Sequence, residues 1–356
     1  MTNSIENTMA VTMFGVDPGC LGGISTLTRI LSRELGNQPG IDFRYIVTAN
    51  QGTALAKVRC FIGALRLACQ RFGCARGICH IHMANNASVA RACVIIWLAK
   101  KYGQKVYLHI HCDLSRIRKT ASPRMKRMID WAVTSSDVII ALGDYLDSFF
   151  NEIDYPLERV HVLPNAVECP SENPFETHRN KVLFLGNVTK DKGVLDLLDA
   201  ISLVAPELDN NIVFELCGRD HIDVQRLICG RGLQDRVKYC GIVKPDSSFF
   251  SQYLLNVLPS HHEAMPFSIL EASANGVPSV ASRVGSIPEI IFDGVNGWLV
   301  DPHDSGSLAQ VLLTVLSNTD YIDEASKNIY NDVVKRYSLD SYVEKLIALY
   351  DGQDKR

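Results

Sequence analysis

The sequence predicts an α/β protein built from two doubly wound domains, each a parallel sheet with helices on both faces. Three observations carry this reading: a length of 356 residues, two successive series of six short apolar runs, and helix-like stretches between the runs. A chain of that length exceeds one ordinary hydrophobic core. Runs rich in Val, Ile, Leu and Tyr that lack strict apolar/polar alternation mark strands buried on both faces of a parallel sheet.

The first series comprises VTMFGV (11–16), FRYIVTA (43–49), ICHIH (78–82), KVYLHIH (105–111), DVIIAL (137–142) and RVHVL (159–163). The second comprises KVLFLG (181–186), NIVFELCG (211–218), RVKYCG (236–241), LLNVLPS (254–260), VPSVAS (277–282) and GWLV (297–300). Between them NAVECPSENPFETHRN (165–180) has two prolines and no helical period, and it reads as an interdomain linker. The domains are therefore expected at 1–164 and 181–330. Residues 320–350 carry a helical pattern, and a C-terminal helix within 331–356 is expected to pack back on the N-terminal domain.

Composition narrows the class. Hydrophobic residues make up 47% and charged residues 21%, which suits a compact soluble protein. No apolar run approaches the roughly 20 residues needed to cross a bilayer, and the start lacks a secretion signal. Eleven cysteines without a C-x-x-C pair fit reduced, mostly buried thiols rather than disulfides or a zinc site. A cytoplasmic protein is expected. Net charge is −3, yet residues 57–127 hold 15 Lys/Arg against one acid, Asp113. Such a stretch asks for an anionic partner; no aromatic-interleaved motif supports nucleic acid.

Open α/β sheets hold ligands beyond the carboxyl ends of their strands, where helix N-termini offer free N–H groups and partial positive charge. Three turns have this build. DPGCLGG precedes a helix whose Ile24, Leu27, Leu31 and Leu35 share a face; it contains Gly22 and Gly23 but no G-x-G-x-x-G. NVTKDKG carries Lys190 and Lys192 before a helix faced by Val194, Leu197, Leu198 and Ile201, and it is not a Walker sequence. HHEA leads into PFSILEASANG, where Pro266 suits a first helical turn and Gly276 a C-terminal cap, leaving the N–H groups of Phe267, Ser268 and Ile269 free. Glu263 lies just outside that helix and Glu271 inside it.

Over about 45 residues, LPSHHEAMPFSILEASANGVPSVASRVGSIPEIIFDGVNGWLVDPHD resembles the nucleotide-binding segment of GT-B retaining glycosyltransferases of family four. LFLGNVTKDKG resembles their phosphate loop, RVHVLPNAVE their interdomain turn, SSDVIIALGDYL their Ala-Asp…Ser strand. HIHMANNASVARACVIIWLAKKYGQKVYLHIHCD resembles the N-terminal domain of exopolysaccharide and capsule transferases. The resemblance implies the GT-B arrangement of two Rossmann-like domains facing across a cleft. It also implies transfer of a sugar from a UDP- or GDP-sugar to a saccharide acceptor in surface polysaccharide synthesis, with retention of configuration.

Residue by residue, it implies a phosphate site of Lys192, Asn187, Gly22, Gly23 and the N–H groups of Phe267, Ser268 and Ile269. Glu271 takes the ribose hydroxyls, Gly218 and Val243 lie near the base, and Glu263 and His111 face the transferred sugar. Asn187 stands where the family has arginine, Ala264-Met265 where it has Gly-Phe, and Ala166 where it has Gly. A degenerate GT-B subunit with a binding role and a nucleotide-sugar epimerase of similar fold stay open as alternatives. His80-x-His82, His109-x-His111 and His261-His262 pair imidazoles, but no carboxylate or cysteine completes a ligand set at familiar spacing. No metal and no cofactor are expected. Phe61, Ile62, Leu65 and Leu67 lie among basic residues, and SRIRKTASPRMKRMIDW adds more beside Trp131. Residues 57–127 are thus expected to rest on the anionic inner face of the cell membrane, where a polyprenyl-diphosphate-linked acceptor would be presented.

Overall fold

A computed structural model of the chain describes residues 8–20 and 23–353. The chain divides into two compact units, one formed by residues up to Asn165 together with those from Tyr342 onward, the other by Ala166–Ser341.

In the first unit the strands are β1 (Met9–Val16), β2 (Ile41–Ala49), β3 (Ile78–Met83), β4 (Lys105–Ile110), β5 (Val138–Ala141) and β6 (Val160–Val162). They form one parallel sheet in the order β2-β1-β3-β4-β5-β6. Every strand of the first expected series is present, to within two residues at each end. The interior strands β3, β4 and β5 are almost wholly buried, as their unbroken apolar runs require. Helix Gly23–Gly36 buries Leu27, Leu31 and Leu35. Helix Asn86–Lys101 opens with a reciprocal capping box: the Ser88 N–H donates to the Asn85 side chain, and the Asn85 N–H to Ser88 Oγ. Phe14, Phe72, Phe149 and Phe150 fill the core.

The second unit holds β7 (Lys181–Leu185), β8 (Val213–Cys217), β9 (Val237–Gly241), β10 (Tyr253–Leu258), β11 (Ser279–Ser282) and β12 (Trp298–Val300). Their order is β12-β11-β10-β7-β8-β9, again all parallel. Strand order reverses between β7 and β10, so the loops after these two strands flank the crevice where such sheets take ligands. Val194, Leu197, Leu198 and Ile201 are all buried on helix Val194–Val204.

Residues 166–180 are pinned to the second unit. Val167 bridges Ser338, Asn173 donates to Ser326 Oγ, and Arg179 donates to the carbonyls of Tyr253 and Pro174. The helical pattern at 320–350 resolves into two helices, Thr319–Tyr337 and Leu339–Tyr350. The break falls at Ser338 because the Val167 N–H takes the Tyr337 carbonyl and the Val167 carbonyl takes the Leu339 N–H. All eleven cysteines are free, but only Cys79, Cys112 and Cys217 are buried, while Cys74, Cys229 and Cys240 are exposed. Small thiols were expected mostly in the core; half-exposed helix faces hold them equally well. No described helix is long and apolar enough to cross a membrane.

Candidate functional site

The loop after β7 and the loop after β10 meet at backbone contact. Gly193 adopts φ 69°, and a Cβ there would lie 1.8 Å from the Pro259 carbonyl oxygen. Only glycine tolerates both the left-handed backbone and that approach. The His261 N–H also donates to the Asp191 carbonyl at 2.9 Å. These ties bring Lys192 Nζ to Glu263 Oε1 at 2.5 Å, with the Glu263 side chain only 8% exposed and that of Lys192 29%. Ser260 Oγ donates to the same carboxylate oxygen at 2.7 Å.

The backbone carrying Glu263 is braced from behind. The Ser286 N–H and hydroxyl both donate to the Ala264 carbonyl, at 2.9 and 2.7 Å. Gly285, at φ 55°, lets the chain pass where a Cβ would sit 2.3 Å from the Glu263 carbonyl oxygen. Helix Phe267–Ala274 starts immediately after this loop, with Pro266 at its cap position rather than in its first turn. Pro266 offers no side-chain cap, and the N–H groups of Phe267, Ser268 and Ile269 find no acceptor among the described residues. Three orphan donors beside a lysine form a place where an anion is favoured.

Glu271, one turn further along this helix, is partly buried, and burial pushes its carboxyl up to about 7. Its side chain makes no hydrogen bond or ion pair among the described residues, so its charge is uncompensated. Gly218 backs onto Gly186, where a Cβ would meet the Gly186 carbonyl, and Val243 packs on a cluster of Leu183, Leu185, Cys217 and Ala272. Asn187 is exposed at the end of β7. The structure thus gathers Lys192 and Glu263 into contact and places the orphan N–H groups on the helix that follows Glu263.

His111 belongs to the first unit. It follows β4, is buried, and its Nε2 lies 2.8 Å from His82 Nδ1; burial pushes it down to about 3. Gly23 opens its helix in the same unit, and Gly22 lies outside the described residues.

Sequence reasoning missed three supports. Ser260 and Ser286 carry no signature of their own. His261 Nε2 lies 2.5 Å from Asp196 Oδ2, and its ring centroid lies 3.7 Å from that of His303, tilted by 37°; His303 holds a left-handed φ of 65°. The pairing joins three separate loops and helices, so no local spacing announces it.

Comparison with known proteins bears on this same segment. Residues 179–318, which include every residue of the Lys192–Glu263 arrangement, match the family described as Glycosyl transferases group 1. N-acetyl-α-D-glucosaminyl L-malate synthase of Bacillus anthracis is 22% identical over 241 residues, which cover 65% of this chain and 63% of that protein. The match thus spans less than two thirds of the relative's length. Among solved structures, sucrose-phosphate synthase from Thermosynechococcus elongatus aligns with a TM-score of 0.79 at 17% identity, over 97% of this chain and 98% of that one. The Anabaena protein HepE in complex with UDP and glucose aligns with a TM-score of 0.76 at 16% identity, over 97% of this chain and 100% of that one. At these identities the likeness speaks for the fold alone, and the fold class of the chain is GT-B, with two doubly wound α/β units.

Proposed function

We propose that the protein transfers a sugar from a UDP- or GDP-sugar to a saccharide acceptor with retention of anomeric configuration. The observation that carries this reading is the Lys192–Glu263 pair beside three unaccepted N–H groups at the strand-order reversal of the second sheet. The HepE structure with UDP and glucose, a protein of the same fold, supports a nucleotide-sugar donor.

In this mechanism the diphosphate displaces Glu263 as the partner of Lys192 and takes the N–H groups of Phe267 to Ile269. The bond from the anomeric carbon to the β-phosphate oxygen breaks, its electron pair leaving with the nucleoside diphosphate. The acceptor hydroxyl oxygen bonds to the anomeric carbon and gives its proton to the departing phosphate. Lys192 and the helix N–H groups stabilise the charge that develops on the leaving group, a contribution worth about 10²–10³ in rate per donor. Glu263, released from Lys192, faces the sugar and favours positive charge at its anomeric carbon. Glu271 accepts from the ribose hydroxyls. Neither metal nor cofactor is required for these steps.

Calorimetric titration with UDP and with GDP tests the donor site. One nucleotide should bind, and Lys192→Ala should weaken it about 10–100-fold, the loss of one charge-assisted contact of roughly 1.5–3 kcal/mol. Binding of neither nucleotide would overturn the reading. Retention is checked by the NMR coupling of the product's anomeric proton.

The acceptor is proposed to be lipid-linked and met at an anionic membrane. Helix Ala54–Cys74 supports this: Leu55, Val58, Ile62 and Leu67 are exposed on it beside Lys57, Arg59 and Arg66. Trp97 and Trp131 are exposed on two further helices of the same unit. Co-sedimentation with phosphatidylglycerol vesicles at low salt should be strong and fall with added salt; absence of binding removes the membrane from the proposal.

A further inference from the structure

On one face of β3 and β4 lies a histidine cluster of which the proposed transfer calls on neither His80, His82 nor His109. The strands pair in register with His82 opposite His109 and His80 opposite Tyr107. Side chains alternate along a strand, so His80 and His82 share a face with His109, and His111 follows on the same side. Neighbouring ring centroids lie 4.1–5.4 Å apart, and all four imidazoles are at most 7% exposed.

The hydrogen bonding of this array is incomplete. His80 Nδ1 lies 2.5 Å from the Tyr350 hydroxyl, and His82 Nδ1 lies 2.8 Å from His111 Nε2. His82 Nε2 and His109 Nε2 are buried with no hydrogen-bond partner among the described residues, and each such orphan costs about 1–3 kcal/mol. His80 Nε2 and His109 Nδ1 are 3.3 Å apart, long for a hydrogen bond. That separation is what two ligands share on a tetrahedral ion with metal–nitrogen bonds of about 2.0–2.1 Å. One nitrogen each from His80, His82 and His109 lie within 4.8 Å of one another.

We propose that His80, His82 and His109 form a three-imidazole site for a divalent transition metal of the zinc type, with Tyr350 fixing the orientation of His80. Tyr350 would accept from His80 Nδ1–H and so direct the Nε2 lone pair at the ion, the arrangement common around metal-bound histidines. Burial favours neutral rings, the form that has a lone pair to give. An all-nitrogen set selects zinc, copper, nickel or cobalt over magnesium or calcium. Since Tyr350 ends helix Leu339–Tyr350, the ion would also fasten that helix end to β3.

The test uses the full chain without a histidine tag, produced in medium supplemented with zinc or with cobalt, because the buried site must be loaded as the protein folds. The wild type should carry about one zinc per chain by mass spectrometry, and the cobalt form should show the visible absorption of a four-coordinate Co²⁺. His82→Gln and His109→Gln should lose both signals. His261→Ala, which alters the separate Asp196–His261–His303 group, should keep them. Tyr350→Phe, which retains all three ligands, should bind cobalt about 10–100-fold more weakly and keeps the proposal testable if the glutamine variants fail to fold. A wild type free of metal, a signal that follows His261, or unchanged affinity in Tyr350→Phe would each overturn the assignment.

Discussion

The two sheets have the same number of strands and the same parallel sense, yet they bury opposite kinds of polar chemistry. In the second unit the strand-order reversal between β7 and β10 is lined by charge: Lys192 against Glu263, with a bare helix end beside them. In the first unit, strands β3 and β4 carry His80, His82 and His109, with His111 just after β4, and burial keeps these four imidazoles neutral. The same scaffold therefore accommodates either arrangement. What differs is whether the polar groups sit on loops beyond the strand ends, where solvent reaches a charge, or on the strands themselves, where it does not. On the two proposals above, the charged site exchanges partners and the neutral one holds them.

The sharpest way to break the contrast is Glu263→Ala. Turnover should fall about 10²–10³-fold, while affinity for UDP or GDP holds or rises, because Lys192 no longer has a competing carboxylate. A parallel loss of nucleotide binding would show that the pair is structural rather than exchangeable. Next in size is Gly193→Ala. Its left-handed φ and the approach to the Pro259 carbonyl should cost about 2–4 kcal/mol, read as a lower melting temperature of the second unit. An unchanged melting temperature would mean that the two loops need not meet so closely.

The smallest effect is Glu271→Gln, read against pH. The carboxyl rises in the folded chain from an ordinary value of 4.5 to about 7. A raised value means that the folded state binds more protons than the unfolded one between those limits. Its contribution to stability is thus complete below about 4.5 and is lost as pH climbs through about 7. Glutamine has no such loss, so the variant should gain on the wild type across that window by about 1–3 kcal/mol. On the proposed function, nucleotide affinity should rise through pH 7 in the wild type, as the carboxylate proposed to accept from the ribose forms, and stay flat in the variant. Identical pH profiles would remove Glu271 from both roles.

Local pattern made the framework legible. Each strand was announced by an apolar run of the right length, because parallel strands covered on both faces leave little room for polar residues. The turns at Gly186–Gly193 and His261–Pro266 could be read because a strand, a short polar loop and an amphipathic helix follow one another without interruption. What escaped depends on residues far apart in the chain. His82 and His109 meet through strand register, Asp196 and His261 through the approach of two loops, and Ser286 reaches Ala264 from beyond another strand. The polar composition of 165–180 announced a loop, but not that Asn173 and Arg179 would anchor it.

The uneven exposure of the thiols has a practical corollary. Cys74 lies on the first unit and Cys229 and Cys240 on the second, all open to solvent, while Cys79, Cys112 and Cys217 are shielded. Brief treatment with a maleimide dye should therefore mark both units without any engineered residue. Energy transfer between such labels would give a native ruler for following the two units when UDP or GDP is added.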